Sequence, residues 1–305
     1  MDFSFGSDIR EGAFYLEEPE LEDHFGIFLG IDRVLLKKKT PIQELVVAEA
    51  GPLGRVLILD GNIQVSEFDE SGYHEMMAHL PLLTHPDPRR VLVVGGGDGG
   101  VLREVLRHPS VEKAELCEID EEVVDASRRF FPGLACALED PRAVVHFADG
   151  IDFVRAHPCS WDVILVDSSD PVGPAEGIFQ NEFYSFLRDA LKPGGIAVTQ
   201  CESFFLYEGL IREIFGFLPE IFPVVGYYQT LVPTYSSGTI GFAFCSLGPN
   251  PLDTGPDPHR VEALGDLSYY TPLLHRASFA LPRRFLLLLP ETDRALVLNR
   301  ALERI

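Results

Sequence analysis

Apolar residues follow two rhythms along this chain. Up to Ser71 they form short runs: Phe25–Leu29, Val34–Leu36, Leu45–Val47 and Val56–Leu59. Gly51-Pro52, Gly54 and Asp60-Gly61 separate the later ones. Short apolar runs with close turns predict a small antiparallel β domain over residues 1–71. From Gly72 to Leu83 the spacing becomes helical. That helix is expected to stop at His85-Pro86-Asp87-Pro88, where proline cannot continue it.

Strand and helix then alternate. Val91–Val94, Ala114–Cys117, Val144–Phe147, Val163–Val166 and Ile196–Thr199 read as strands. Val101–Arg107, Glu121–Phe131, Ile151–Ala156 and Asn181–Leu191 read as the helices between them. Lys192-Pro193-Gly194-Gly195 supplies a helix stop and a turn. Apolar strands alternating with helices predict a parallel sheet covered on both faces. Val224–Tyr228 and Ile240–Cys245 add further β signals, Gly248–Pro258 reads as a surface loop, and a helical tail closes the chain. The expected fold class is α/β, with a Rossmann-like, parallel-rich domain over residues 72–305 behind the small β domain.

Composition narrows the partners. The 305 residues are 46% hydrophobic and 24% charged, enough to bury a core without disulfide staples. Lys and Arg number 25 against 47 Asp and Glu, a net charge of −22. Such a field repels phosphate backbones and anionic lipid, so no nucleic-acid or membrane partner is expected; it either favours cationic partners or serves only solubility, and composition does not choose between these. The five cysteines, Cys117, Cys136, Cys159, Cys201 and Cys245, are odd in number and form no CxxC pair. They read as reduced thiols of a cytoplasmic protein, without a zinc site. Met1–Gly30 lacks a basic region followed by an apolar run, so no signal peptide is expected. Phe285–Leu289 is too short to span a bilayer. His79, His85, His108 and His275 have no metal-ligand spacing, Trp161 reads as packing, and no metal is expected.

Candidate chemistry gathers at strand ends. The first strand of the α/β part runs into Gly95-Gly96-Gly97-Asp98-Gly99-Gly100, and glycines let backbone approach a ligand there. Glu118 closes the second strand, where an acid can accept from both ribose hydroxyls. Asp149-Gly150 closes the third, where a carboxylate could accept from an adenine amino group. The glycine pattern also satisfies GxGxxG, so NAD competes as ligand. Asp98 is oddly placed for a pyrophosphate but well placed for a cation, which favours a sulfonium nucleoside carrying an ammonium arm. The fourth strand ends in Asp167-Ser168-Ser169-Asp170-Pro171-Val172-Gly173-Pro174-Ala175-Glu176. Two carboxylates three residues apart, in a proline-stiffened loop, suit a cation clamp with a general base.

These segments resemble the spermidine synthase (polyamine aminopropyltransferase) family. The carriers are TPIQEL with Gln43, VLILDGNIQ, YHEM at Tyr73–Met76, HLPLLTHP, VLVVGGGDGGVLREVLRHPSVEKAELCEID, DVILVDSSDPVGPAE and PTYSSG, with YYTPLLHRASFALP in the tail. The resemblance implies an oligomerising N-terminal β domain that forms part of the active-site wall. Behind it comes a Rossmann-like, methyltransferase-type catalytic domain. It implies transfer of the aminopropyl group of decarboxylated S-adenosylmethionine, a co-substrate, to putrescine, giving spermidine and methylthioadenosine with no bound cofactor. A homodimer or homotetramer is implied.

By the same resemblance Gln43, His74, Asp98, Glu118, Asp149 and Gly150 bind the donor, and Asp167 accepts the proton. Tyr73, Asp170, Gln200 and Tyr235 hold the acceptor, with Pro174 in the covering loop, and Tyr73 and Asp170 complete the catalytic set. Many eukaryotic members carry Gln at the position of His74, and the family's PTYPSG reads PTYSSG here, with Ser236 for Pro. Agmatine, cadaverine or spermidine are alternative acceptors. Putrescine N-methyltransferases, which use intact S-adenosylmethionine, retain similar GGGDGG and DSSDPVGPA segments and form a second reading. A non-catalytic polyamine-binding protein is a third, against which the intact Asp167 and Tyr73 count.

Overall fold

The computed structural model describes residues 3–5, 9, 11–16, 26–168, 177–253, 255–291 and 295–302. Asp170 and Pro174 lie outside the described residues.

Strands β1 (Phe3–Phe5), β2 (Phe14–Leu16) and β3 (Phe28–Gly30) form one small sheet. Strands β4 (Arg33–Lys39), β5 (Glu44–Glu49), β6 (Arg55–Leu59) and β7 (Asn62–Ser66) form an antiparallel meander. Pleating sends Val46, Ala48, Val56 and Ile58 to one face and Leu45, Val47 and Leu57 to the other. The second face packs on Val123, Ala126, Phe131 and Leu134 of the α/β part, so both faces are buried and the apolar runs are nearly continuous. Of the run Phe25–Leu29, Phe25 lies outside the described residues and β3 begins at Phe28; β4 extends through Lys39. Those lysines are partly or fully exposed on an edge strand, where Lys37 and Lys38 pair with Glu44 and Glu122. β7 was not expected from the pattern. Asp60 and Gly61, at φ 45° and 87°, form the tight turn that returns the chain from β6 into it.

The second sheet has eight strands in the order β10-β9-β8-β11-β12-β14-β13-β15. They are β8 (Arg90–Gly95), β9 (Lys113–Glu118), β10 (Ala143–Phe147), β11 (Trp161–Asp167), β12 (Leu191–Gln200), β13 (Val224–Leu231), β14 (Thr239–Ser246) and β15 (Leu296–Val297). β8 to β12 are mutually parallel, and β14 runs antiparallel to both its neighbours. Val91, Val93, Val163 and Leu165 join the core under α1 (Glu70–Thr84) and α2 (Gly100–Leu106). Leu92, Val94, Ile164 and Val166 join the opposite core, under α6 (Asn181–Ala190) and α7 (Glu208–Ile221). Helices α3 (Glu121–Phe130), α4 (Pro132–Ala135) and α5 (Gly150–Arg155) complete the crossovers.

Two differences from the pattern have local causes. Lys192–Gly195 do not end before the strand: β12 begins at Leu191, and the register against β11 slips between Trp161↔Leu191 and Val163↔Ile196. Lys192 bonds Asp162 at 3.0 Å, so this irregular stretch is fastened to the neighbouring strand. α7 was missed, although Ile211, Ile214, Phe215 and Leu218 repeat at helical spacing and are buried. α1 ends where expected, and Arg260 donates to the carbonyls of Leu82, Leu83 and His85, which helix geometry leaves unpaired. Among the described residues no helix is long and apolar enough to cross a membrane.

Candidate active site

The carboxyl ends of β8, β9, β11 and β12 place Gly95, Glu118, Asp167 and Gln200 on one edge of the sheet. Open α/β sheets bind ligands at that edge. A cavity of about 200 Å³ lies there. Gln43 and Gln64 line it from the β domain, and Asp98, Glu118, Asp149 and Asp167 from the α/β domain.

Asp98 is held by the turn that carries it. Gly95, Gly96 and Gly99 take φ of 76°, 68° and 86°, which favours glycine, and Asp98 accepts from Gly100 N at 2.7 Å. His74 Nε2 lies 3.3 Å from Asp98, and its Nδ1 lies 2.6 Å from Glu70. Burial opposes a charge on His74, but Asp98, Glu70 and Asp167 outweigh it and raise the pKa to about 9. Burial likewise opposes the charge on Glu70. Bonds to His74 and Arg103 win there and bring it down to about 2.

Asp167, the last residue of β11, accepts from the Tyr73 hydroxyl at 2.6 Å. Its other oxygen is buried with no hydrogen-bond partner among the described residues. Burial and the neighbouring Asp98 push Asp167 up to about 7, against the opposing pull of His74 and Tyr73. A carboxyl that titrates near neutrality, with one oxygen unspent, is equipped to receive a proton.

On the nucleoside side, Glu118 accepts from Gly97 N at 3.1 Å and Asp120 N at 2.9 Å. Burial nevertheless raises it to about 7. Asp149 caps α5 by accepting from Ile151 N and Asp152 N, both at Oδ1. A Cβ at Gly150 would lie 2.4 Å from Val94. Gln43 donates to Asp120 at 3.1 Å, so the β domain is tied to the loop that follows Glu118.

On the far side of the cavity, Gln200 donates to Glu202 at 2.7 Å, and its side-chain oxygen is buried with no hydrogen-bond partner among the described residues. Tyr235 donates to the Gln64 carbonyl at 2.8 Å and meets the Tyr73 ring edge-on. Asp69 fastens this loop to α1 by accepting from Thr234 N and its hydroxyl. Every expected site residue that is described therefore lines this one cavity. Sequence reasoning missed Gln64, Glu70 and Glu202, which line it too. Glu202 was detectable as an acid just past a strand end, and Glu70 as the i−4 neighbour of His74.

Residues 70–252 match the spermine/spermidine synthase domain, and residues 15–67 the spermidine synthase tetramerisation domain. The chain belongs to the spermidine synthase family. The polyamine aminopropyltransferase of Leptospira biflexa is 47% identical over 269 residues, covering 88% of this chain and 95% of its own. The spermidine synthase of Dictyostelium discoideum is 45% identical, with 90% and 97% covered. A solved spermidine synthase in complex with the transition state analogue AdoDATO superposes with a TM-score of 0.88 at 39% identity, covering 92% of this chain and 96% of that one. The Thermotoga maritima spermidine synthase gives 0.86 at 38%, with 92% and 95% covered. The protein is thus a transferase of the aminopropyltransferase class.

In this aminopropyltransferase, ligand atoms of His74, Asp98 and Asp167 lie within 4.8 Å of one another, the distance a shared metal ion would require. His74 Nδ1 is bonded to Glu70 and its Nε2 lies 3.3 Å from Asp98, so the ring takes part in ion-pair contacts on both sides. The His74–Glu70 pair makes a testable contribution to stability. Glu70 is depressed from 4.5 to about 2, so its share is full above 4.5 and lost as pH falls through about 2. His74 is raised from 6.5 to about 9, so its share is full below 6.5 and lost as pH rises through about 9. The urea midpoint gap between wild type and His74→Gln is expected to be widest between those limits. A gap that stays constant from pH 5 to pH 10 would refute the charged pair.

Proposed function

We propose that this enzyme transfers the aminopropyl group of decarboxylated S-adenosylmethionine to putrescine, giving spermidine and methylthioadenosine. The observation that carries the reading is the Tyr73–Asp167 bond beside Asp98, inside a cavity whose other ionisable lining groups include buried Glu118 and Glu202. Both substrates are cations, and grouped carboxylates offset their mutual repulsion. Glu118 and Asp149 take the nucleoside's ribose and adenine, Gln43 and Gly150 close that end, and Asp98 takes the ammonium arm. Tyr73, Gln200 and Tyr235 surround the acceptor, with Asp170 and Pro174 supplied by the segment after Asp167.

The reaction is an in-line substitution in which the amine nitrogen bonds carbon and the carbon–sulfur bond breaks, neutralising the sulfonium. The leaving group is already activated, so the protein's tasks are alignment and removal of one proton. An alkylammonium near pKa 10.4 must be deprotonated, at a cost of about 4–5 kcal/mol at pH 7. An ordinary aspartate near 3.9 is a poor base for that. Asp167 at about 7 closes roughly half of the distance.

The test offers decarboxylated S-adenosylmethionine with putrescine, agmatine, cadaverine and spermidine in competition, with mass-spectrometric detection. Spermidine and methylthioadenosine as the main products are expected. A different dominant polyamine would change the acceptor, and methyl transfer from intact S-adenosylmethionine would change the donor. The tetramerisation-domain match supports a homodimer or homotetramer formed through the β domain of residues 1–71, with residues 72–305 catalytic; light scattering would give the number. Five unpaired thiols, two of them exposed, support a cytoplasmic setting.

A further inference from the structure

A line of ionisable groups runs back from the cavity between α1 and α2. Asp98 faces His74 Nε2 at 3.3 Å, and Glu70 Oε2 faces Nδ1 at 2.6 Å. Arg103 donates to both oxygens of Glu70, at 2.8 and 3.1 Å. Its Nε bonds Glu104 at 2.6 Å. Glu104 reaches His79 at 3.1 Å, and His79 meets His108 at 3.0 Å. The last three are essentially excluded from water. The proton-transfer step uses none of the groups behind Asp98.

An ionised carboxylate can only accept hydrogen bonds. Glu70 is hydrogen-bonded to Nδ1 and Asp98 lies at ion-pair distance, 3.3 Å, from Nε2, so carboxylates face both nitrogens of His74 and favour the imidazolium. The groups facing it are Glu70 and Tyr73 of its own helix, Asp98 of the glycine turn and Asp167 of β11. Arg103 of α2, a cation behind Glu70, is tied to Glu70 and Glu104. The ring is also fixed in place, because a Cβ at Gly100 would fall 2.2 Å from it. Asp167 feels this cation directly: His74 pulls its pKa down while burial and Asp98 push it up.

We propose that Glu70, braced by Arg103, is a positioning residue that keeps His74 an imidazolium against Asp98, and that this cation holds Asp167 in its proton-accepting form. The inference deepens the proposed reaction and rests on Asp167 being its base. Without the charge on Glu70, His74 gives up its proton more readily. Burial and Asp98 then act on Asp167 opposed chiefly by the Tyr73 bond, and a higher pH is needed to ionise it.

Two measurements test this separately. The first needs no substrate. Long-range proton–nitrogen NMR of the ligand-free protein, with the His74 signals assigned through His74→Gln, reports both ring nitrogens. Both should bear protons at pH 7.5 in wild type, and His74 should titrate at lower pH in Glu70→Gln. A neutral His74 in wild type would overturn the inference whatever the substrates are. The second is the pH profile of kcat/KM for the donor. The acid limb should move up by on the order of one pH unit in Glu70→Gln, the size of effect a nearby charge exerts. An unmoved limb, with only an overall loss of rate, would reduce Glu70 to a structural role. Arg103→Lys, which keeps the charge but loses the two-oxygen grip, should show a smaller shift of the same sign and decides the matter if Glu70→Gln does not fold. Absence of transfer from any donor would defeat the proposed reaction but leave the NMR result standing.

Discussion

Asp167→Asn is expected to lower turnover by about 10²- to 10⁴-fold, the range a positioned general base contributes. Asparagine keeps the size of the side chain and still accepts from Tyr73, now at 2.6 Å from Asp167. It has no carboxylate to take the amine's proton. Donor affinity, read by calorimetry, should change little, because Asp98, Glu118 and Asp149 remain. Near-normal turnover in the variant would remove Asp167 from the mechanism. Wild-type kcat/KM should fall as pH drops through about 7, where Asp167 in the free enzyme gains its proton. The limb for kcat should lie at lower pH, because a bound sulfonium and ammonium favour the ionised carboxylate. Tyr73→Phe removes a bond that favours the ionised form of Asp167, and so should shift the limb upward while preserving the ring contacts with Phe242 and Tyr235.

Gly95→Ala should be the most damaging of the small substitutions in the glycine turn. Gly95 has φ 76°, and a Cβ there would lie 2.1 Å from the carbonyl oxygen of Asp167. That oxygen belongs to backbone, and Gly95 pairs with Asp167 in the ladder between β8 and β11, so neither side can withdraw without opening the central strands. Strain and overpacking together are expected to cost about 2–6 kcal/mol. Any folded fraction should have Asp167 displaced and turnover lost with it. Gly133→Ala is the control: it lies in α4 with nothing within 4 Å of the new atom, and should be neutral or stabilising by up to about 1 kcal/mol. Urea unfolding of the pair gives the comparison. Equal midpoints for the two variants would contradict the close approach at Gly95.

Much of the site's placement was legible along the chain. Asp98, Glu118, Asp149 and Asp167 each follow an apolar run that reads as a parallel strand, and parallel strands put their carboxyl ends on one edge. That is why residues far apart in sequence could be expected around one cavity. The β6–β7 hairpin was legible in part. Asp60-Gly61 announced a turn, while the return strand Asn62–Ser66 contains too few apolar residues to show itself. The α7 repeat of Ile211, Ile214, Phe215 and Leu218 is plain in the sequence and lies between two β signals. The Lys192–Gly195 segment misled for a different reason. Pro-Gly-Gly is strong turn chemistry, but pairing with Trp161 and the Lys192–Asp162 bond draw it into the strand.

The sequence by itself determined the strand and helix alternation, the glycine turn and the acids at the strand ends, because these depend on local periodicity and on conformations only certain residues adopt. The tertiary structure alone decided their chemistry. Tyr73 meets Asp167 across 94 positions, Gln43 meets Asp120 across 77, and Arg103 reaches Glu70 across 33. Charge state is set by such meetings: burial beside Asp98 raises the pKa of Asp167, and carboxylates facing both nitrogens favour a charged His74. Electrostatic interactions fall off over a few ångströms in space, a distance that position along the chain does not measure.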